Sequence, residues 1–252
     1  MPKLQAYTRD LPYTYALGVF PAMECLLAAP DRCRRLLLHS RAEGEGVAKL
    51  VAACEAQGIR VEQADRALAR LSQKENCFAA MAFDKREGAL PAGRPHAVLH
   101  RPADGGNAGT ILRTCLGLGM GGVAIIRPAV DVYDPRVMRA SMGALARLPA
   151  AHFEDLAAYR AAFSGHGLYL FMLGGAKSLD EAARGATAPY ALVFGNEAQG
   201  LPPDFAALGT AVAIPQSGAV DSLNLAAAAA IGMYAFRQAQ GAFTGTRVRE
   251  DV

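Results

Sequence analysis

Short apolar runs alternate along this chain with stretches whose apolar positions recur at helical spacing, which predicts an α/β fold. Over residues 16–83 the pattern predicts a helix at 16–28, a strand at 34–39, a helix at 44–57, a strand at 59–63, a short helix, and a strand at 77–83. Residues 84–95 interrupt it with charges, glycine and proline, and read as a linker. The alternation restarts at His96 in longer units, with strands predicted at 97–99, 123–127, 168–173, 191–194 and 211–214. Between them, Asp134-Pro135 supplies an N-cap and a proline at the first helical position, and Ser178 with Glu181 forms a capping box. Apolar strands this short, separated by helices, imply a parallel sheet covered on both faces. The expected division is a small α/β unit over 1–90, a larger parallel-sheet unit over 96–240 and a polar tail over 241–252.

Composition narrows the picture modestly. No stretch of the 252 residues approaches the roughly 20 apolar residues of a membrane span, and Met1-Pro2-Lys3-Leu4-Gln5 does not open an apolar leader, so a soluble, cytoplasmic protein is expected. Cys25, Cys33, Cys54, Cys77 and Cys115 form no C-x-x-C pair, and no histidine stands near them at ligand spacing. Reduced core thiols and no metal site are the expectation. The formal charge of +3 resides in residues 1–95, with 14 Lys/Arg against 11 Asp/Glu, whereas residues 96–252 hold 12 of each. An excess of that size does not identify a nucleic-acid binder by itself.

One glycine pattern points elsewhere. Gly117-Leu118-Gly119-Met120-Gly121-Gly122 has the spacing of a dinucleotide-binding loop, which would make the protein a nucleotide-dependent oxidoreductase. Such a loop must follow a strand and open a helix, whereas these glycines follow a helical stretch and precede a strand. They read as a helix stop and tight turn.

The most informative segment is Ile214-Pro215-Gln216-Ser217-Gly218-Ala219-Val220-Asp221-Ser222-Leu223-Asn224-Leu225, which runs into five alanines. A strand ends in Ile-Pro, a loop follows, and Ser222 occupies the expected N-cap with Asn224 just inside the helix. The alanines let that helix approach its neighbours closely. This segment resembles the third signature of the SpoU/TrmH branch of the SPOUT RNA methyltransferases. Leu192-Val193-Phe194-Gly195-Asn196-Glu197-Ala198-Gln199-Gly200-Leu201 resembles the second, and Asn107-Ala108-Gly109-Thr110-Ile111-Leu112-Arg113-Thr114 the first. The three stand in the family's order across about the last two thirds of the chain. One departure is Asp104-Gly105-Gly106-Asn107, where relatives commonly carry proline two positions before the asparagine.

The resemblance implies a parallel-sheet domain with a deep trefoil knot, a homodimer, and transfer of a methyl group from S-adenosylmethionine to a ribose 2′-OH. It puts Arg113 at the reaction centre together with Asn107, and Glu197 near it. A guanidinium stays charged, which favours electrostatic activation by Arg113 over literal proton abstraction. Ser222 and Asn224 can orient a ribose hydroxyl or a loop amide, and Ser222 can simply cap its helix. Glu197 can move a proton, or pair with Arg113 or backbone amides. Leu173, Gly174, Gly195, Ile214 and Leu223 are the implied cofactor-lining residues, at the carboxyl ends of strands where open-sheet ligands sit. Arg136 and Arg139, one turn apart, can meet RNA phosphates or form a solvated helix face. The first unit resembles, more diffusely, the L30e-like substrate-binding domain of such enzymes, and ribosomal RNA is favoured as substrate over transfer RNA. The rival within the family is a non-catalytic RNA-binding relative.

Overall fold

The computed structural model describes residues 5–72 and 77–243 and contains two sheets. The first unit runs β1 (Tyr13–Leu17), α1 (Val19–Ala28), β2 (Cys33–Leu38), α2 (Glu45–Ala56), β3 (Arg60–Gln63), α3 (Asp65–Leu71), β4 (Ala79–Asp84). Its strands are ordered β1-β4-β2-β3, with only β2 and β3 parallel. The second runs β5 (His96–His100), α4 (Gly105–Gly117), β6 (Gly122–Ile126), α5 (Pro135–Ala140), β7 (Ala150–Phe153), α6 (Leu156–Ala162), β8 (Gly167–Phe171), β9 (Lys177–Ser178), α7 (Leu179–Arg184), β10 (Tyr190–Phe194), β11 (Thr210–Ala213), α8 (Leu225–Ala239). Its seven strands, ordered β7-β6-β5-β10-β8-β11-β9, are parallel throughout, as the short apolar runs imply.

Three strands escape the sequence pattern. β1 covers Ala16 and Leu17, which the periodicity assigns to a helix; they pair instead with Met81 and Ala80. Gly18, at φ 109°, turns the chain out of the strand and into α1, a conformation that glycine takes without strain. β7 is half alanine, a weak strand former, and β9 is two residues long, so neither carries a readable alternation. The polar tail lies, from residue 244 onward, outside the described residues.

The stretch between the sheets is bonded along much of its length. Gly88 N donates to Ala150 O (2.8 Å), the Glu87 carboxylate meets His152 Nδ1 (3.1 Å), and Arg94 Nη2 donates to Gly119 O (2.9 Å). His96 Nε2 donates to Pro91 O (3.1 Å) and its Nδ1 accepts from the Tyr159 hydroxyl (2.9 Å). Burial, aided by the stacked His166, pushes the His96 pKa down to about 4, so it stays neutral in this role. Thr14, on β1, donates to Tyr133 O just ahead of α5, and a single apolar cluster runs from α1 and β4 into β5, α4 and α8.

The glycine-rich turn is explained by the same packing. Gly119 sits at φ 68° past the end of α4, and a Cβ on Gly121 would lie 2.5 Å from Arg94 Cβ. No phosphate-cradling helix start is formed there. The five cysteines are unpaired, and burial pushes the Cys54 thiol up to about 11 and Cys33 to about 12, which leaves both protonated at neutral pH.

Helices α4 and α5 touch through Gly109, where an added Cβ would fall 2.5 Å from Ala140 Cβ and 3.0 Å from Val137 O. Gly117, at the far end of the same helix, faces open space. Alanine at the two positions therefore has opposite expected effects in urea denaturation. Gly109→Ala should destabilise by about 1–3 kcal/mol through overpacking, and Gly117→Ala should be neutral or stabilise by about 0.5 kcal/mol.

Candidate active site

Three chain segments converge at the carboxyl edge of the parallel sheet, and their polar groups form one hydrogen-bond chain. At the end of β10, the Glu197 carboxylate accepts from Ala103 N and Asp104 N, each at 3.0 Å, in the loop between β5 and α4. Asp104 in turn caps α4 by accepting from Asn107 N (2.7 Å). Asn107 Nδ2 donates to Glu197 Oε1 (3.3 Å), and Asn224 Nδ2 donates to Asn107 Oδ1 (3.0 Å). Asn224 Oδ1 accepts from Ala226 N and Ala227 N, capping α8. Backbone N–H groups only donate, so they fix the oxygen of Asn224, and that orientation passes through Asn107 to the carboxylate.

The cap corrects the sequence reading: Asn224, not Ser222, is the N-cap of α8. An N-cap needs a side-chain oxygen two or three residues before the amides it serves, and the helix starts at Leu225, too late for Ser222. Ser222 is exposed and lines a neighbouring cavity instead.

Glu197 does not pair with Arg113. Burial raises its carboxyl pKa, but the N–H groups of Ala103 and Asp104 and the Asn107 amide outweigh this and hold it below the ordinary value of 4.5. A carboxylate so stabilised is a weak base, and its hydrogen bonds tie the loop after β10 to the loop after β5.

Asn196 performs a parallel task. Its Oδ1 accepts from Ala198 N (2.9 Å) and Gln199 N (3.2 Å), which directs its Nδ2 to Arg101 O (2.8 Å). Gly195 is required beside it, because a Cβ there would fall 2.2 Å from the carbonyl carbon of Gly200.

Against this network lies a cavity of about 410 Å³, in the range of small-molecule sites. Leu173, Gly195, Ile214, Leu223, Ser222 and Glu197 all contribute to its wall. Gly174 follows Leu173 at φ 74° but is not part of the wall. Asn107, bonded to Glu197, and Asn224, bonded to Asn107, are not part of the wall. Arg113 is exposed on α4, and among the described residues its guanidinium has no hydrogen-bond or ion-pair partner. Arg136 is engaged by Asp134 (3.0 Å), while Arg139 is half-buried at the end of α5. A larger cavity of about 780 Å³ lies on the first unit beside β3 and α3, away from these signatures.

Sequence reasoning missed Phe171, Met172 and Gln216 in the wall. Gln216 lies inside the third signature and was legible there. Phe171 carries no local signal; it is in place because Gly232 of α8 leaves room for its ring, where a Cβ would come within 2.5 Å.

With a parallel sheet, a carboxyl-edge cavity and three interlocked signature loops in place, comparison with known proteins identifies the class. Residues 94–234 match the SpoU rRNA Methylase family, and the chain belongs to that family. An uncharacterized tRNA/rRNA methyltransferase of Synechocystis is 36% identical over 153 residues, covering 59% of this chain and 56% of that protein. The chain thus spans little more than half of that relative's length. The 23S rRNA (adenosine(1067)-2′-O)-methyltransferase of Streptomyces laurentii is 33% identical over 204 residues, covering 73% of this chain and 72% of that protein. The crystal structure of the SpoU methyltransferase AviRb of Streptomyces viridochromogenes in complex with AdoMet matches with TM-score 0.76 and 26% identity, over 93% of this chain and 92% of its own.

The lowered Glu197 pKa sets a pH window. Above pH 4.5 the carboxylate is ionised in both native and unfolded chains, and its stabilising effect is present in full; it is lost as pH falls through the lower native pKa. Glu197→Gln turns an amide donor toward one of two N–H groups, and should destabilise by about 1–2 kcal/mol near neutrality. Urea denaturation from pH 7 down to 3 should show the gap between wild type and variant narrowing on acidification; a gap that widens would contradict the network.

Proposed function

We infer that the protein is an S-adenosylmethionine-dependent methyltransferase acting on a ribose 2′-OH of structured RNA, with ribosomal RNA as substrate. The observation that carries this reading is the interlocking of all three signatures through Glu197, Asn107 and Asn224 beside a cavity of ligand size. The Streptomyces laurentii relative, named for 2′-O-methylation of 23S rRNA, favours the ribosomal substrate.

The cavity suits the cofactor. Backbone groups at Gly195 and Leu223 and apolar side chains at Leu173 and Ile214 offer a mixed wall for a purine, a ribose and a charged amino-acid tail. S-adenosylmethionine supplies an electrophilic methyl group on a sulfonium. The remaining chemistry belongs to the chain. Ser222, exposed at the wall, can hydrogen-bond the incoming hydroxyl. Arg113 stabilises the developing negative charge on the ribose oxygen and holds the adjoining phosphate in its planar fork. Glu197 keeps the loops in register.

Arg113 stands outside the cavity wall of its own chain, which favours a site completed by a second copy. Ile231 and Tyr234 of α8 are 41% and 51% exposed on a helix packed beside α4, an apolar face suited to a homodimer. The reading carries with it the family's trefoil knot, an RNA-binding L30e-like unit over 1–90, a catalytic unit over 96–240 and a cytoplasmic location.

The test uses the full chain with isotope-labelled S-adenosylmethionine and deproteinised bacterial ribosomal RNA. Mass spectrometry of the nuclease digest should find the methyl group on ribose. Arg113→Ala should lower turnover by at least about a hundredfold, with cofactor affinity nearly unchanged in calorimetry. Methylation of a base, or normal turnover of the variant, would overturn the reading.

A further inference from the structure

Arg101 is an anomaly at the mouth of the site. It directly follows β5, at φ 56°, is one of two non-glycine residues with positive φ among those described, and precedes Pro102. A side chain in this left-handed region is strained, and such strain persists only where the surroundings impose it. The backbone contacts explain the conformation: Arg101 N donates to Ile126 O (3.1 Å), and Arg101 O accepts from Asn196 Nδ2 (2.8 Å). Neither contact involves the side chain. Glycine would make both without strain, so the backbone geometry gives no reason for arginine.

The side chain is also unengaged. Arg101 is exposed, and among the described residues its guanidinium has no hydrogen bond and no ion pair. Arg127 pairs with Glu154 (2.9 Å) and Arg136 with Asp134, whereas Arg101 shares its unpaired state with Arg113. Arg101 therefore presents a free cation one residue beyond β5, an interior strand, and is hydrogen-bonded through its carbonyl to the loop that walls the cavity. A strained, fixed backbone carrying an unpaired guanidinium is suited to gripping an anion that arrives with the substrate.

We propose that Arg101 binds a phosphate of the RNA backbone beside the nucleotide that enters the site. This rests on the reading of the protein as an RNA methyltransferase. It adds a contact just past β5, separate from Arg113 on α4. The contact is to the phosphodiester and carries no base preference of its own.

Arg101→Gly tests it, because a structural role and a binding role predict different results. The variant should keep or raise the denaturation midpoint, since glycine relieves the strain. Its affinity for fragmented, deproteinised 23S rRNA, measured by filter binding, should fall about fivefold to tenfold at about 0.1 M salt, and the slope of log affinity against log salt should shrink by about 1. Arg101→Lys should retain most of the affinity, because a phosphate accepts a point charge. Arg160→Ala, which removes an exposed arginine on α6, should change affinity by less than about twofold. Unchanged RNA affinity in Arg101→Gly overturns the proposal, as does loss of S-adenosylmethionine affinity in calorimetry, which would assign the guanidinium to the cofactor carboxylate. Wild-type protein that binds RNA but transfers no methyl group overturns the functional reading and leaves the Arg101 comparison standing.

Discussion

The Glu197 carboxylate, accepting two backbone N–H groups across the gap between β10 and the loop after β5, is the contact on which the rest of the site depends. Those amides belong to Ala103 and Asp104, and Asp104 is the residue that caps α4. Holding its N–H sets where the helix begins and which way Asn107 faces. Asn107 then reaches both the carboxylate and Asn224, the cap of α8. Two helix N-termini are brought to one place, each with its first amides satisfied by a side chain of the network. Their positive dipole ends favour the ionised form of the carboxylate between them. An acid serving this purpose is more useful as a permanent anion than as a proton shuttle, and its lowered pKa fits that role.

Close approach makes the convergence possible. Gly109 lets α4 lie against α5, Gly195 lets the loop after β10 fold back on itself, and Gly232 lets α8 settle over Phe171. Each would clash with a single added carbon. The alanines at the start of α8 extend the same logic, with Ala226 and Ala229 buried against the sheet. The site is a junction of tightly packed elements. Arg101 is the exception in cost: its backbone is held in a conformation suited to glycine, and stability is given up at the point where an unpaired cation faces solvent.

The first unit is attached to this arrangement by more than its connecting chain. The strap after β4 donates to β7, meets His152, and reaches the turn after α4 through Arg94. Packing between β1 and α5 closes the other side. Whatever the first sheet contacts is thereby carried at a defined position relative to the carboxyl edge of the second.

Local chemistry made much of this legible before any coordinates. Apolar runs bounded by turn residues marked the five main strands of the parallel sheet, because strands with helices on their faces are built mostly of apolar residues. Capping signals at Asp134-Pro135 and Ser178-Glu181 were readable since a cap acts within one turn of the chain. The signature segments also marked Asn107, Glu197 and Asn224 as polar groups at element junctions. Other features depend on residues far apart in sequence. β1 was hidden because Ala16 and Leu17 become a strand only by pairing with β4. The cap of α8 is Asn224 rather than Ser222 because the helix starts at Leu225, and what the long-range fold adds is the Nδ2 contact from Asn224 to Asn107, 117 residues away. For Glu197 the sequence left proton transfer, a pair with Arg113 and contacts to backbone amides open, and the fold brings it the amides of Ala103 and Asp104. Periodicity and caps are short-range properties that a sequence carries on its own, whereas the role of a polar group is set by which donors surround it, and that is decided by the fold.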